Sequence, residues 1–123
     1  MIGGRARHTA CNVAVRRLMM MVDHELDELK REFLAEAEEK VREMESALEN
    51  GTSSGSLDRV AYLAHQLKGS GGSYGYQRIS ADAAEIEKAV ESSGGSVPDA
   101  VRSYVKNLRS EIDRAAKELA AHA

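Results

Sequence analysis

A histidine, a lysine three residues on and a glycine beside it open the stretch whose side chains could act together: His65-Gln66-Leu67-Lys68-Gly69-Ser70-Gly71-Gly72-Ser73-Tyr74-Gly75. On a helix of 3.6 residues per turn, His65, Lys68, Gly69 and Gly72 share one face. Val60, Leu63, Leu67 and Tyr74 fall on the opposite face, which can be core. Neutral imidazole is a nucleophile near neutral pH. An ammonium at i+3 is in reach of a dianion placed on a ring nitrogen and could offset its charge. Glycine inside a helix costs about 1 kcal/mol relative to alanine, so Gly69, Gly71 and Gly72 need a reason. For Gly69 and Gly72, one and two turns beyond His65, access supplies it, because a position without a side chain lets another protein approach the ring. Read from the residues alone, this is a histidine that accepts and passes on a phosphoryl group, kept open to a protein donor.

The run His65-x-Leu67-Lys68-Gly69-Ser70 followed by Gly75 resembles the signature of histidine-containing phosphotransfer (HPt) domains of two-component phosphorelays, and Tyr76-Gln77-Arg78-Ile79 is similar to members of that family too. The helical pattern extends the likeness over roughly Asp23 to Leu119. By this resemblance His65 is the phosphorylated residue, Lys68 assists at the phosphate and Gly69 keeps access open. Ser70 lies beside the site, and Gly75 lets the chain turn tightly towards the next helix. Where the family often has a second serine or an alanine, this chain has Gly71 and Gly72, which weakens the helix locally more than it alters the chemistry.

The elements that must hold this stretch are helices. The chain has 123 residues, enough for one domain with a modest core. It has one Phe, four Tyr and no Trp, and is rich in Ala, Leu, Glu, Lys and Arg, as suits helices packed by aliphatic side chains. The net charge of -3 argues against nucleic-acid binding. Arg5, Arg7, Arg16 and Arg17 make residues 1–22 basic, with no acid among them. The single Cys11 allows no internal disulfide and fits a reducing compartment. The apolar run Leu18 to Val22 is far too short to span a bilayer and makes a poor signal-peptide core. A cytoplasmic monomer without membrane insertion is expected.

In chain order, residues 1–22 read as an N-terminal extension of uncertain role. Val15, Leu18, Val22, Leu26 and Leu29 recur at helical spacing, so a helix could begin near Thr9 and run on. The other readings are a natural start at Met19, Met20 or Met21, and a basic helix on a membrane surface. Residues 23–121 read as the bundle. Asp23 could cap a first helix, whose stripe is Leu26, Leu29, Phe33, Ala37, Val41, Met44 and Leu48. Its outer Glu/Lys/Arg face reads as solvated i,i+4 pairs. Asn50-Gly51 closes it, Thr52 to Gly55 reads as a loop, and Ser56 caps the second helix. On that helix Asp58 and Tyr62 lie on roughly the face of His65, which makes Tyr62 a candidate for partner docking. Gln77 to Ser92 carries Ile79, Ala83, Ile86 and Val90 on one side, and Gln77 and Arg78 would start this third helix close to the histidine, where either could contact a phosphate. After a Ser/Gly loop, Pro98 suits the first turn of a fourth helix with Val97, Val101, Tyr104, Leu108, Ile112, Ala115 and Leu119 as its stripe. The expected fold is all-α, an antiparallel up-down four-helix bundle. The first two helices should carry most of the interaction surface, and the last two should be scaffold.

His8, His24 and His122 lack such neighbours and read as surface residues. No cluster has metal-ligand spacing, and no strand precedes a glycine loop that could hold a nucleotide. No resident cofactor is expected, and with no ATP site His65 cannot charge itself. The chain is therefore expected to be a phosphocarrier rather than a kinase. Its partners would be response-regulator receiver domains, free or within a hybrid histidine kinase, each bringing its own Mg²⁺. Two other functions fit the same residues: the phosphotransfer domain of a chemotaxis-type histidine kinase, and a receiver-binding module without phosphoryl flow.

Overall fold

A computed structural model describes the backbone of residues 2–49, 54–93 and 99–121, and side chains from residue 24 on, Ser54 apart. Four helices follow one another: α1 (Ile2–Glu49), α2 (Ser54–Ser73), α3 (Gln77–Glu91) and α4 (Asp99–Ala121). Each packs on the next and α4 returns to α1, while among the described residues the backbones of the diagonal pairs stay more than 8 Å apart. Cross-helix contacts show the alternating direction. Gly71 meets Ser80 and His65 meets Glu87, so α2 and α3 run antiparallel. The fold is the all-α four-helix bundle that the apolar stripes predict.

The stripes become the core, except at the start of the α1 stripe, where Leu26 and Leu29 are exposed and burial begins at Phe33 and Leu34. Val41 and Met44 of α1, Val60, Leu63 and Leu67 of α2, Ile79 and Ile86 of α3, and Leu108 of α4 are all buried. Full burial of such a side chain is worth about 1.5–3 kcal/mol, which is what holds these helices together. On α4, Val105 joins the core although it lies outside the expected stripe, and Tyr104 is only half-buried. No charged or polar side chain is buried among the described residues.

Several expected boundaries move. Asp23 caps nothing: α1 runs unbroken through it, because no proline or glycine interrupts the chain between Arg5 and Glu49. The expected division between residues 22 and 23 is therefore not a break in the backbone. At 48 residues α1 is about 72 Å long, whereas the 23 residues of α4 span about 34 Å. The helix α2 starts at Ser54, so Gly55 and Ser56 lie within its first turn instead of in a loop and at a cap. Asn50 to Ser53, Gly94 to Pro98 and His122 lie outside the described residues. The charged outer face of α1 pairs as expected, with Arg42 meeting Glu38 at 2.8 Å and Glu39 at 3.1 Å.

The turn between α2 and α3 fixes their register. Gly75 takes φ +84, a left-handed conformation that glycine adopts without strain. The Tyr76 amide donates to the Gly71 carbonyl at 2.8 Å and the Gly75 amide to the Gly72 carbonyl at 3.2 Å. This is a Schellman closure, which satisfies the last carbonyls of α2. Tyr74 and Tyr76, on either side of Gly75, stack on Phe33 of α1 at 5.1 Å and 5.8 Å between ring centroids and pin the turn to the bundle. Above the turn, α2 and α3 approach closely at Gly71, where an added Cβ would lie 3.2 Å from the Ser80 backbone nitrogen. The Ser80 hydroxyl donates to the Lys68 carbonyl at 2.8 Å across the same seam.

Two glycines on one helix therefore have opposite roles. Around Gly69 an added Cβ meets nothing within 4 Å. Gly69→Ala is expected to stabilise the protein by up to about 1 kcal/mol through helix propensity. Gly71→Ala is expected to lose about 1 kcal/mol net, because overpacking against a backbone outweighs that gain. Urea denaturation of the two variants reads both signs. A second expectation concerns pH. Arg109 of α4 binds both carboxylate oxygens of Glu45 on α1, one from Nε at 2.9 Å, and this pairing holds the Glu45 carboxyl below its ordinary range. A lowered carboxyl contributes stability above its unfolded pKa and loses it as pH falls through the folded one. The difference in Tm between wild type and Glu45→Gln should thus be present at pH 7 and be lost as pH falls through and below the ordinary carboxylate range.

Candidate functional site

The face of α2 that carries His65 is open. The His65 side chain is 66% exposed, Gly69 and Gly72 beside it are exposed, and the empty space at Gly69 lies one turn from the ring. Val60, Leu63 and Leu67 of the same helix are buried, so packing of one face orients the other outwards. A Cβ at Gly72 would make only ordinary contact, 3.7 Å from the Ser80 hydroxyl. Gly71, between them, is the packing glycine, and its reason is the close approach of α3 rather than access.

The ring is not free to turn. Its Nδ1 lies 2.8 Å from Oε2 of Glu87 on α3, and the other oxygen of that carboxylate accepts from Lys68 Nζ at 3.1 Å. One carboxylate thus bridges the imidazole and the ammonium. Lys68, and after it His65, hold the Glu87 carboxyl below its ordinary range, against partial burial that pushes it up. At neutral pH it is ionised and can only accept, so the hydrogen between it and the ring sits on Nδ1. In the neutral imidazole Nε2 then carries the lone pair, on the exposed side.

The helix α3 is therefore more than scaffold. Glu87 was not among the residues singled out by the sequence, because it is far from His65 along the chain and belongs to no local motif. Register could have found it: with a tight turn at Gly75, antiparallel pairing brings residues near 86 level with His65. The acids there that lie off the apolar stripe are Glu85 and Glu87.

The other expected residues fall in different places. Ser70 is half-buried and its carbonyl accepts from the Tyr74 amide at 3.1 Å. Gly75 makes the turn. Gln77 and Arg78 begin α3 ten residues before Glu87, about 15 Å along the helix, and are not brought to the histidine. Arg78 faces α4 instead, 3.9 Å from Glu111. Tyr62, one turn before His65, is 53% exposed. Its hydroxyl accepts from Gln66 Nε2 at 3.0 Å, and the Arg59 guanidinium lies 5.4 Å from its ring centroid. Arg59 in turn forks onto Glu43 of α1, with contacts of 2.9 to 3.1 Å. An exposed aromatic is thus flanked by two side chains of its own helix, one of them anchored on α1. His24 makes an ordinary i,i+4 contact with Glu28 at 3.5 Å. Among the described residues no cluster could hold a metal ion, and no helix is long and apolar enough to cross a membrane.

A family model for the Hpt domain matches residues 28–121, most of the chain and all of the site. The chain belongs to the Hpt-domain family. No curated protein and no solved structure gives a significant match. Hpt domains are phosphocarrier modules of two-component phosphorelays that work by histidine phosphotransfer and interact with receiver domains. The matched segment begins within α1, past the basic N-terminal residues, and ends with α4.

If Glu87 sets the ring tautomer, its removal should be visible without any partner. The ¹⁵N spectrum of histidine-labelled protein at a pH where the ring is neutral should show Nδ1 protonated in wild type. In Glu87→Ala it should show the mixture of tautomers of free imidazole. An unchanged Nδ1–H tautomer in the alanine variant would show that something else holds the proton.

Proposed function

We propose that this Hpt domain takes a phosphoryl group onto Nε2 of His65 from the aspartyl phosphate of a receiver domain and passes it to the aspartate of a second receiver. The observation that carries the reading is a two-thirds exposed imidazole whose inner nitrogen is occupied by Glu87, with open space beside it at Gly69. Such a ring presents one nucleophilic atom in one direction, so a donor that docks on α2 meets it already oriented.

The roles then divide. His65 attacks phosphorus in line through Nε2. Lys68, 42% exposed and parked on Glu87, is within a turn of the ring and offsets charge on the transferring group. Gly69 leaves room for the partner. Tyr62, held by Arg59 and Gln66, is a pre-positioned aromatic for docking. The receiver with its own Mg²⁺ supplies most of the electrostatic stabilisation of the transferring phosphoryl group. This chain supplies a positioned nucleophile. A surface that serves two partners in turn must release each of them, which suits a modest contact area around one aromatic anchor.

Mixing the protein with phosphorylated receivers should place acid-labile, base-stable phosphate on the chain, and His65→Gln should abolish it. Gly69→Leu should keep its helix content by circular dichroism yet slow transfer at least about tenfold, the cost of a small misplacement at the reacting atoms. Failure of several cognate receivers to label wild type would count against the whole reading. Unchanged rates in Gly69→Leu would remove the role given to that glycine.

A further inference from the structure

The Glu87 carboxylate has consequences for the discharge of His65 as well as its loading. We infer that Glu87 keeps the Nδ1 proton on the ring after Nε2 has been phosphorylated, and so holds phospho-His65 in the form that gives its phosphoryl group away. This rests on the reading that His65 is the phosphorylated residue and extends it to the second half of the cycle.

In loading, the Nε2 lone pair forms the N–P bond while the P–O bond to the donor aspartate breaks, and that electron pair leaves on the aspartate carboxylate. No proton is transferred. The ring keeps its Nδ1–H and so acquires a formal positive charge next to the phosphoryl dianion. In discharge, an oxygen of the acceptor carboxylate forms the new P–O bond, the N–P bond breaks, and its electron pair returns to Nε2. If Nδ1 still carries its proton, the leaving group is neutral imidazole. If that proton has been lost, the leaving group is imidazolate, a much stronger base and a far poorer leaving group. Retention of one proton therefore decides how readily the carrier unloads.

Glu87 is placed to retain it. Its Oε2 is 2.8 Å from Nδ1, so the positive charge created on the ring by phosphorylation appears against an ionised carboxylate. An opposite charge at hydrogen-bond distance favours the protonated ring and raises the pH at which it lets go. Lys68 works against this in the resting state, since its ammonium sits on Oε1 of the same carboxylate at 3.1 Å. The phosphoryl dianion offers that ammonium a second partner, and each step of Lys68 towards it leaves more of the Glu87 charge to the ring. Asp58 stands on the His65 face two turns before the ring and Glu91 one turn beyond Glu87 on α3, and two other neighbouring charges are taken up in pairs. Arg59 of α2 is bound to Glu43 of α1, and Lys88 of α3 pairs with Glu85 at 3.8 Å. Glu87 is thus a positioning residue that acts through His65, by its charge as well as its hydrogen bond.

Glu87→Gln separates the two, because an amide oxygen can still accept from Nδ1 but brings no charge. The experiment loads wild type and variant on His65 with a phosphorylated receiver, removes the donor, and follows single-turnover discharge to an acceptor receiver from about pH 6 to about pH 10. Hydrolysis without any receiver is run in parallel, which removes docking and the titration of the receiver from the comparison. The expected result is equal rates at the acid end, with the fall in rate starting about one pH unit lower in Glu87→Gln, so that discharge is about tenfold slower in between. Lys68→Gln, which removes the opposing ammonium, should move the fall the other way in the hydrolysis series. Superimposable pH profiles, or a variant slower by one factor at every pH, would overturn the inference. If wild type takes no phosphate on His65, the proposed function fails first, and this inference with it.

Discussion

The imidazole of α2 and the carboxylate of α3 meet at 2.8 Å because two helices come closer than side chains normally let them. Gly71 removes the atom that would strike the Ser80 backbone, Ser80 ties itself to the Lys68 carbonyl, and Gly75 turns the chain without spare residues. These three local facts set the register of α3 against α2. That register, in turn, puts Glu87 level with His65. The geometry of the His65 ring is thus decided at the far end of the helix pair, by glycines in the turn and the seam.

The energetics of the site differ from those of the core. Val60, Leu63, Leu67 and Ile86 are out of water and account for the cohesion of the bundle. The His65–Glu87–Lys68 group is partly exposed, and exposed ion pairs of this kind contribute little to stability. Under the proposed function its value lies in orientation. A ring that could spin would offer either nitrogen, and a partner would meet the productive one only part of the time. The same reasoning explains Tyr62. Its ring is not buried, yet Arg59 and Gln66 hold it in one place.

Much of this was legible in the sequence. The stripe Leu63, Leu67 against His65, Gly69 and Gly72 distinguishes the inner and outer faces of α2, because helical periodicity is a strong local signal. The tight turn at Gly75 was implied by the resemblance to the HPt signature. The carboxylate partner was not, since Glu87 is joined to His65 only through the packing of two helices. Gln77 and Arg78 show the converse: their place just after the turn suggested nearness to the histidine, but a rigid helix carries them to the other end of the seam and Arg78 towards α4. The helix α2 starts three residues earlier than expected because serine and glycine at 54–55 suit a loop as well as a first turn. Gly71 was left without a reason because a glycine needed for a close helix contact looks, in a single sequence, like one that is merely tolerated.

The account depends on a ring fixed from behind and reactive in front, and the atom that receives phosphorus reports on that directly. Protein labelled with ¹⁵N in its histidines, mixed with a phosphorylated receiver, can be followed by ¹⁵N and ³¹P NMR. Phosphorus bonded to Nε2 of His65, with Nδ1 still carrying its hydrogen, is the predicted result. Phosphorus on Nδ1, or on any other residue, would contradict the arrangement described here.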